Sequence, residues 1–235
     1  EPHIKADDVS FLQYTSGSTA KPKGVMVSHE NLLTNLAQSW QKLEGVSNDC
    51  MVSWLPLYHD MGLIGGTLLP LYSAIPCVLM PPTAFLQRPV RWLQAITRYK
   101  GTISPAPNFA YDLCVRKIGP ERRSALNLSS WRIALNGAEP VRAETLDKFT
   151  TEFASCGFRR ESFYPSYGLA EATLMVTGGG RDELPVSYKL HKEALEQNRV
   201  IEAQADDPET RTLVGCGRTM PGQRVVIVHT ESHTE

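Results

Sequence analysis

Ten residues near the start of the chain, Thr15-Ser16-Gly17-Ser18-Thr19-Ala20-Lys21-Pro22-Lys23-Gly24, bring together four hydroxyls, two glycines and two lysines. Glycine lets a backbone turn sharply and bring its N–H groups up to an anion. Hydroxyls donate to oxygen, and an ammonium is a compact positive charge for phosphate. The chemistry these types share is the cradling of a polyphosphate. The loop is not a Walker A sequence, because Gly24 and Val25 follow Lys23 where that motif has Ser or Thr, and it is not G-x-G-x-x-G. A Ser/Thr/Gly-rich hairpin connection has the same composition, and Lys23 would then be a solvated lysine. Further on, His59 stands beside Asp60. A histidine there is either a structural side chain or a proton donor at a site.

These residues need elements to position them. Residues 9–13 alternate like a strand, and 24–28 read as a second. Ser28 is a good N-cap for a helix with Leu32, Leu33, Leu36, Trp40 and Leu43 at helical spacing, ending at Gly45. Residues 50–55 read as a buried strand, followed by a helix through Tyr72 and a strand at 77–80. A helix over 88–100 turns Val90, Leu93, Ile96 and Tyr99 inward. Strands at 101–104, 131–135 and 162–164 alternate with helices at 108–118 and 140–154, the latter with proline in its first turn. This alternation predicts an α/β fold with a mostly parallel sheet covered by helices on both faces. Ligands bind such sheets beyond the carboxyl ends of the strands, and each chemically rich stretch here follows a strand.

Composition sets bounds. In 235 residues, Lys plus Arg is 24 and Asp plus Glu is 25, a formal net charge of −1. That excludes partners held by bulk positive charge, so no nucleic acid is expected. The five cysteines, Cys50, Cys77, Cys114, Cys156 and Cys216, are odd in number with no C-x-x-C pair. Reduced thiols in a cytoplasmic protein fit them better than disulfides or a zinc site. The longest apolar stretch, 61–80, is broken by Gly62, Gly65, Gly66, Pro70 and Pro76, so stable membrane insertion is not expected. The chain opens on Glu1 and closes on polar residues 229–235, and both ends read as cut edges of a larger protein.

The string 14–24 resembles the phosphate loop of the adenylate-forming superfamily, which includes acyl-CoA synthetases, nonribosomal-peptide adenylation domains and luciferases. Three more stretches follow in the family's order: Pro56-Leu57-Tyr58-His59-Asp60-Met61-Gly62, Asn136-Gly137-Ala138-Glu139-Pro140 and Tyr167-Gly168-Leu169-Ala170-Glu171-Ala172-Thr173. The wording is most similar to fatty acyl-AMP ligases, through residues 11–17, 84–89, 106–111 and 167–173.

The resemblance implies part of the large N-terminal domain of an adenylate-forming enzyme, with ATP and Mg²⁺ as cofactors. It implies that Thr15, Ser16, Gly17, Ser18, Thr19, Lys23 and Gly24 hold the β- and γ-phosphates, Lys23 carrying the main charge. His59 would lie near the acyl carboxylate and α-phosphate, where a ring N–H counters negative charge; Asp60 would orient backbone. Asn136, Gly137, Ala138 and Glu139 would form the adenine shelf, with Tyr167 as its aromatic face and Gly168 and Ala170 beside it. Glu171 resembles the Mg²⁺ ligand, since Mg²⁺ is held by one or two carboxylates plus phosphates; an acid balancing a helix dipole is the alternative. An acyl chain needs an apolar slot. Its candidates are Met61, Leu63, Ile64, Phe109, Ala110 and Met175, with Gly62, Gly65 and Gly66 beside it; all could equally be ordinary core. Ala170 stands where most CoA-forming relatives have threonine.

The implied reaction activates a fatty acid as acyl-AMP with release of pyrophosphate, then passes the acyl group to the phosphopantetheine of an acyl carrier protein on a polyketide or nonribosomal-peptide synthase. The resemblance places the ribose-binding Asp, a catalytic lysine on a C-terminal domain and an N-terminal portion outside these residues, so this fragment alone is expected to be inactive. Residues 1–180 read as the central adenylation core. Residues 181–235 read as a polar branch-specific insertion, roughly 184–208, then entry to a strand at 224–228. Packing of the insertion would use Val186, Tyr188, Leu190, Leu195, Val200 and Ile201. The alternatives are a fatty acyl-CoA ligase, a non-catalytic lipid- or nucleotide-binding domain of the same fold, and an unrelated NTPase or kinase, whose motifs are absent.

Overall fold

The computed structural model describes residues 3–15, 23–204, 207–229, 231, 232 and 234. Ser16, Gly17, Ser18 and Thr19 of the phosphate loop lie outside the described residues. The chain opens with an antiparallel hairpin, β1 (Val9–Thr15) and β2 (Lys23–Ser28), whose last pair is Thr15 with Lys23. Helix α1 (His29–Lys42) follows, capped by Ser28 and Asn31, each of whose side chains accepts the other's backbone N–H. Then come β3 (Met51–Ser53), a π-helix (Met61–Leu68) continuing into α2 (Leu69–Tyr72), β4 (Cys77–Leu79), α3 (Pro82–Gln87) and α4 (Val90–Tyr99). The chain continues through β5 (Ile103–Ala106), α5 (Asn108–Lys117), α6 (Pro120–Arg123), β6 (Ile133–Asn136) and α7 (Ala143–Phe153). β7 (Phe163–Gly168) and β8 (Met175–Gly178) come next. Last are β9 (Ser187–His191), α8 (Lys192–Glu196), β10 (Thr210–Val214) and β11 (Arg218–Thr219).

Seven strands form one sheet in the order β11-β8-β7-β6-β5-β3-β4. The pairs from β4 to β7 are parallel; β8 and β11 add antiparallel strands at one edge. Successive residues point to opposite faces of a strand, and both faces here are covered. Val52, Ala106, Ala134 and Phe163 join an aromatic-rich core with α4, α5 and α7; Met51, Ile103, Ile133 and Tyr164 join a second core beneath α1 and the π-helix. At the amino ends of the strands, buried Asp49 accepts from Arg132, from the Val46 N–H at 2.9 Å and from the Thr102 hydroxyl at 2.6 Å. That network ties the entries to three strands at the end away from the ligand side.

Several boundaries depart from the sequence expectations. Helix α1 stops at Lys42, and Glu44, at φ 48°, makes the left-handed turn expected of Gly45. The Trp40 ring lies 2.4 Å from where a Gly45 Cβ would sit, so the glycine serves close approach instead. Helix α7 starts three residues past Pro140, because Asn108 Oδ1 accepts the Arg142 N–H at 3.0 Å and holds the approach extended. On α4, Trp92 joins Val90, Leu93 and Ile96 in the core, while Tyr99 is exposed, with the Arg98 guanidinium 5.3 Å from its ring centre. No strand forms over 224–228, where Ile227 is 87% exposed and no described strand pairs with these residues. Strands β9 and β10 form a hairpin that carries α8. Leu190 is buried there, whereas Val186, Tyr188, Val200 and Ile201 are exposed and make no core.

Candidate functional site

At the carboxyl ends of the parallel strands, a cavity of about 180 Å³ opens between the sheet, α1 and the π-helix. Its mouth is formed by His59, Asp60, Ala138, Tyr167 and Gly168. Below them it runs along the sheet face past Met61, Leu135, Leu174 and Met175 to Leu43, Met51, Leu69 and Ile103. One end is polar and aromatic, the other lined by apolar side chains. The hairpin that would present the phosphate loop is fastened beside the mouth, because buried Gln13 donates from Nε2 to the Tyr58 carbonyl at 3.0 Å. The sequence reading missed Gln13; a polar residue between the inward positions of a strand was its signal.

His59 and Asp60 form a unit. His59 Nδ1 stands 2.7 Å from Asp60 Oδ1, an ion pair when the ring is protonated, and the Met61 N–H donates to that oxygen at 2.6 Å and to His59 Nδ1 at 3.2 Å, capping the π-helix. The hydrogen bond that the protonated imidazole makes to Asp60, joined by the carboxylate's charge and partly offset by burial, raises the His59 pKa above its ordinary 6.5. With Nδ1 engaged, Nε2 is the nitrogen left for a bound group. Asp60 thus orients both backbone and imidazole. The π-helix that carries Met61 and Gly65 into the cavity closes with the Leu69 N–H donating to the Ile64 carbonyl. Such wide turns recur at functional sites.

The expected residues divide into two sets. His59, Met61, Ala138, Tyr167, Gly168 and Met175 line this one cavity. Tyr167 is half exposed, offering a ring face, and Ala138 holds positive φ at 66°. Thr15, Lys23 and Gly24 lie at the end of the hairpin. Glu171 is exposed and pairs with no cation among the described residues. The others lie off the cavity. Ile64 is in the core beneath the π-helix, and Gly62 fits against the Pro56 carbonyl with no room for a Cβ. Phe109 packs edge-on against Trp54 on the opposite sheet face. Glu139 turns away to accept the Phe109 N–H at 2.6 Å, which caps α5. Asn136 alternates to that same face and is fully buried, its amide without a partner among the described residues. Gly137 lies against Ser166, and Ala170 is buried in a single 3₁₀ turn.

The donor set suits a nucleotide that brings its own charge. Among the described residues no three His, Cys, Asp or Glu cluster to hold a metal. An exposed lone carboxylate such as Glu171 fits a cation whose other ligands are phosphates and water. No described helix is long and apolar enough to cross a membrane.

A mostly parallel sheet whose strand ends open on a half-polar, half-apolar cavity defines an α/β protein with a cleft at the carboxyl ends of its strands. The chain belongs to the family of AMP-binding enzymes, whose profile matches residues 1–234. It is 47% identical over 231 residues to the medium-chain-fatty-acid acyl-carrier-protein ligase JamA of Moorena producens, covering 97% of this chain and 39% of that protein. It is 41% identical to the long-chain-fatty-acid AMP ligase FadD32 of Mycolicibacterium smegmatis, covering 97% and 37%. Among solved structures, a fatty acid AMP ligase from Legionella pneumophila superimposes with a TM-score of 0.94 at 50% identity, covering 97% of this chain and 40% of that one. A fatty acyl-adenylate ligase from L. pneumophila in complex with acyl adenylate and pyrophosphate gives 0.89 at 51%, covering 93% and 38%. The chain thus spans about two fifths of the length of the curated relatives it matches.

Proposed function

We propose that the full-length protein is a fatty acyl-AMP ligase that activates a fatty acid with ATP and hands the acyl group to the phosphopantetheine thiol of an acyl carrier protein. The observation that carries this reading is one cavity joining a mouth that carries His59, Ala138, Tyr167 and Gly168 to an apolar slot at Leu43, Met51 and Leu69. Further support comes from the relatives named acyl-carrier-protein ligases, JamA and TtuA.

On this reading the acid's carboxylate oxygen attacks the α-phosphorus, the bond to the β-phosphate oxygen breaks, and pyrophosphate leaves. Tyr167 stacks the adenine against the Ala138 turn. His59, held by Asp60, donates from Nε2 to the oxygens that gather negative charge. Lys23, with the loop it closes, neutralises the departing phosphates. Mg²⁺, bound through Glu171, would supply further charge neutralisation on phosphate oxygens. The thiol then attacks the acyl carbonyl, and AMP leaves as the thioester forms.

The test is product analysis of the full-length protein given ATP, fatty acids of graded length, CoA and a phosphopantetheinylated carrier. Acyl-AMP and acyl-carrier without acyl-CoA are expected. Acyl-CoA as the main product would move the protein to the CoA ligases, and no pyrophosphate release with any acid would overturn the adenylation reading. The 235-residue chain by itself is expected to bind nucleotide weakly and to form no acyl-AMP, because the resemblance places the catalytic lysine and ribose Asp outside it.

A further inference from the structure

The connection between β7 and β8, residues 169–174, holds a backbone conformation that its own sequence does not favour. Its neck is closed by the Leu169 N–H donating to the Leu174 carbonyl at 3.0 Å. A Cβ on Gly168 would stand 2.0 Å from that same carbonyl oxygen, so only glycine fits at the neck. The chain then makes one 3₁₀ turn over Ala170–Ala172 and reverses at Thr173, with φ 72° and ψ −61°. The Leu174 N–H donates to the Ala172 carbonyl at 2.9 Å, closing a three-residue γ-turn about Thr173. That form of γ-turn is rare and strained, and a β-branched residue is poorly suited to positive φ. Such strain persists only where the surroundings over-determine it.

The surroundings here include a single side chain from a distant element. Asn35, in the middle of α1 and 3% exposed, donates from Nδ2 to the Met175 carbonyl at 3.0 Å and to the Ala172 carbonyl at 3.4 Å. Its Oδ1 accepts the Met175 N–H at 3.4 Å and the Ser39 hydroxyl at 3.5 Å. One amide therefore grips the backbone on both sides of the γ-turn. Glu171 is the residue immediately before the grip; Leu174 and Met175, inside and after it, line the cavity together with Tyr167 and Gly168. Asn35 lies on the buried stripe of α1 with Leu36 and Ser39, where a polar side chain is kept only if it is hydrogen-bonded.

We propose that Asn35 is a positioning residue: it clamps the Thr173 γ-turn in its strained form and so fixes where Glu171 stands relative to Tyr167 and the cavity. The proposal rests on the adenylation reading for what Glu171 does, and on geometry alone for the clamp. Asn35 reaches the reaction only through the turn. A side chain that merely filled core space would affect stability but not the cation dependence of the reaction, and a glycine at position 173 would not relieve its loss.

Four versions of the full-length enzyme separate these cases: wild type, Asn35→Ala, Thr173→Gly and the double variant. Asn35→Ala should raise the Mg²⁺ concentration giving half-maximal pyrophosphate release by about ten-fold or more. Thr173→Gly alone should change it only a few-fold, since glycine takes positive φ without strain. The double variant should recover most of the loss, a strongly non-additive pair. Amide hydrogen exchange over 169–175 gives a readout independent of turnover; it should quicken about ten-fold in Asn35→Ala and much less across the rest of α1 and β8. Asn35→Asp, of the same shape but without the amide donors, serves if Asn35→Ala does not fold, and the same direction is expected. An active wild type with unchanged Mg²⁺ dependence and unchanged exchange in the Asn35 variants overturns the clamp, as does additivity with Thr173→Gly. An inactive wild type whose exchange still responds as described sinks the adenylation reading and leaves the clamp standing.

Discussion

The pair His59–Asp60 makes a chemical unit out of two adjacent residues. The carboxylate accepts from the imidazole, so the folded pKa of His59 lies above its ordinary 6.5. The sign follows: the pair's contribution to stability is complete below the unfolded value and is lost as pH rises through the raised folded one. Asp60→Asn removes the acceptor charge, so the His59 titration, followed by NMR of the ring protons in the full-length protein, should shift to lower pH. The alkaline limb of kcat/KM should move the same way. A midpoint that stays put would show that Asp60 serves only to cap the π-helix. Glu171 is the complementary case, an exposed carboxylate without a cation among the described residues. Glu171→Gln should cut pyrophosphate release by about 100-fold or more while leaving the melting temperature unchanged. Release at the wild-type rate would remove Glu171 from the metal role.

At the scale of elements, the face opposite the cavity is the aromatic-rich half. Trp92 of α4 is fully buried and meets Trp54, Phe85, Tyr111 and Trp131 through its ring. Its Nε1 donates to the Ser104 hydroxyl at 2.8 Å, and Ser104 donates in turn to the Val52 carbonyl at 2.5 Å. One side chain thus couples a helix to β3 and β5, the strands that lead into the His59 segment and α5. Trp92→Ala should cost about 3–5 kcal/mol in urea unfolding, through the cavity left behind and the lost hydrogen bond to Ser104. Trp92→Phe should cost clearly less. Equal losses for both would mean that the hydrogen bond, not the ring packing, holds this layer. The π-helix shows a different economy: Gly62 touches the Pro56 carbonyl and Gly66 the Ser53 hydroxyl, so the wide helix lies directly on the end of β3 and Met61 enters the cavity.

At the scale of the whole molecule, the chain leaves the main sheet after β8 and returns at β11, and the β9/β10 hairpin with α8 fills the excursion. The strands of that hairpin pair with each other and not with the main sheet, so the excursion can be shortened without cutting the ladder that frames the cavity. We propose that the excursion here, as the resemblance implies, restrains the small C-terminal domain and disfavours the CoA-using arrangement. Deleting 184–208 from the full-length enzyme should therefore preserve acyl-AMP formation and admit acyl-CoA, roughly ten-fold or more above wild type by mass spectrometry, since a gate biased by a few kcal/mol shifts populations that far. A folded deletion variant that forms acyl-AMP and no added acyl-CoA would place the discrimination on the CoA-binding surface instead. The outward side chains Val186, Tyr188 and Val200 are available to such a contact, being exposed here.

What the sequence determined by itself was local in origin. Strand–helix alternation and the motifs at strand ends defined an α/β sheet with its chemistry on one side, because periodicity and turn residues act over a few positions. Of the site residues that the resemblance offered, the fold brings His59, Met61, Ala138, Tyr167, Gly168 and Met175 to one cavity. Only the tertiary structure decided which face each neighbour takes. Leu135 lines the cavity while Asn136, one residue on, is buried on the far side, because side chains alternate along a strand. Phe109, on α5 itself, and Glu139, in the loop after β6, also lie on the α5 side, where one packs and the other caps. Gln13 and Asn35 were not legible as functional at all, since their partners lie 45 and 140 residues away. A buried amide shows its purpose only when the distant backbone it satisfies has been brought beside it.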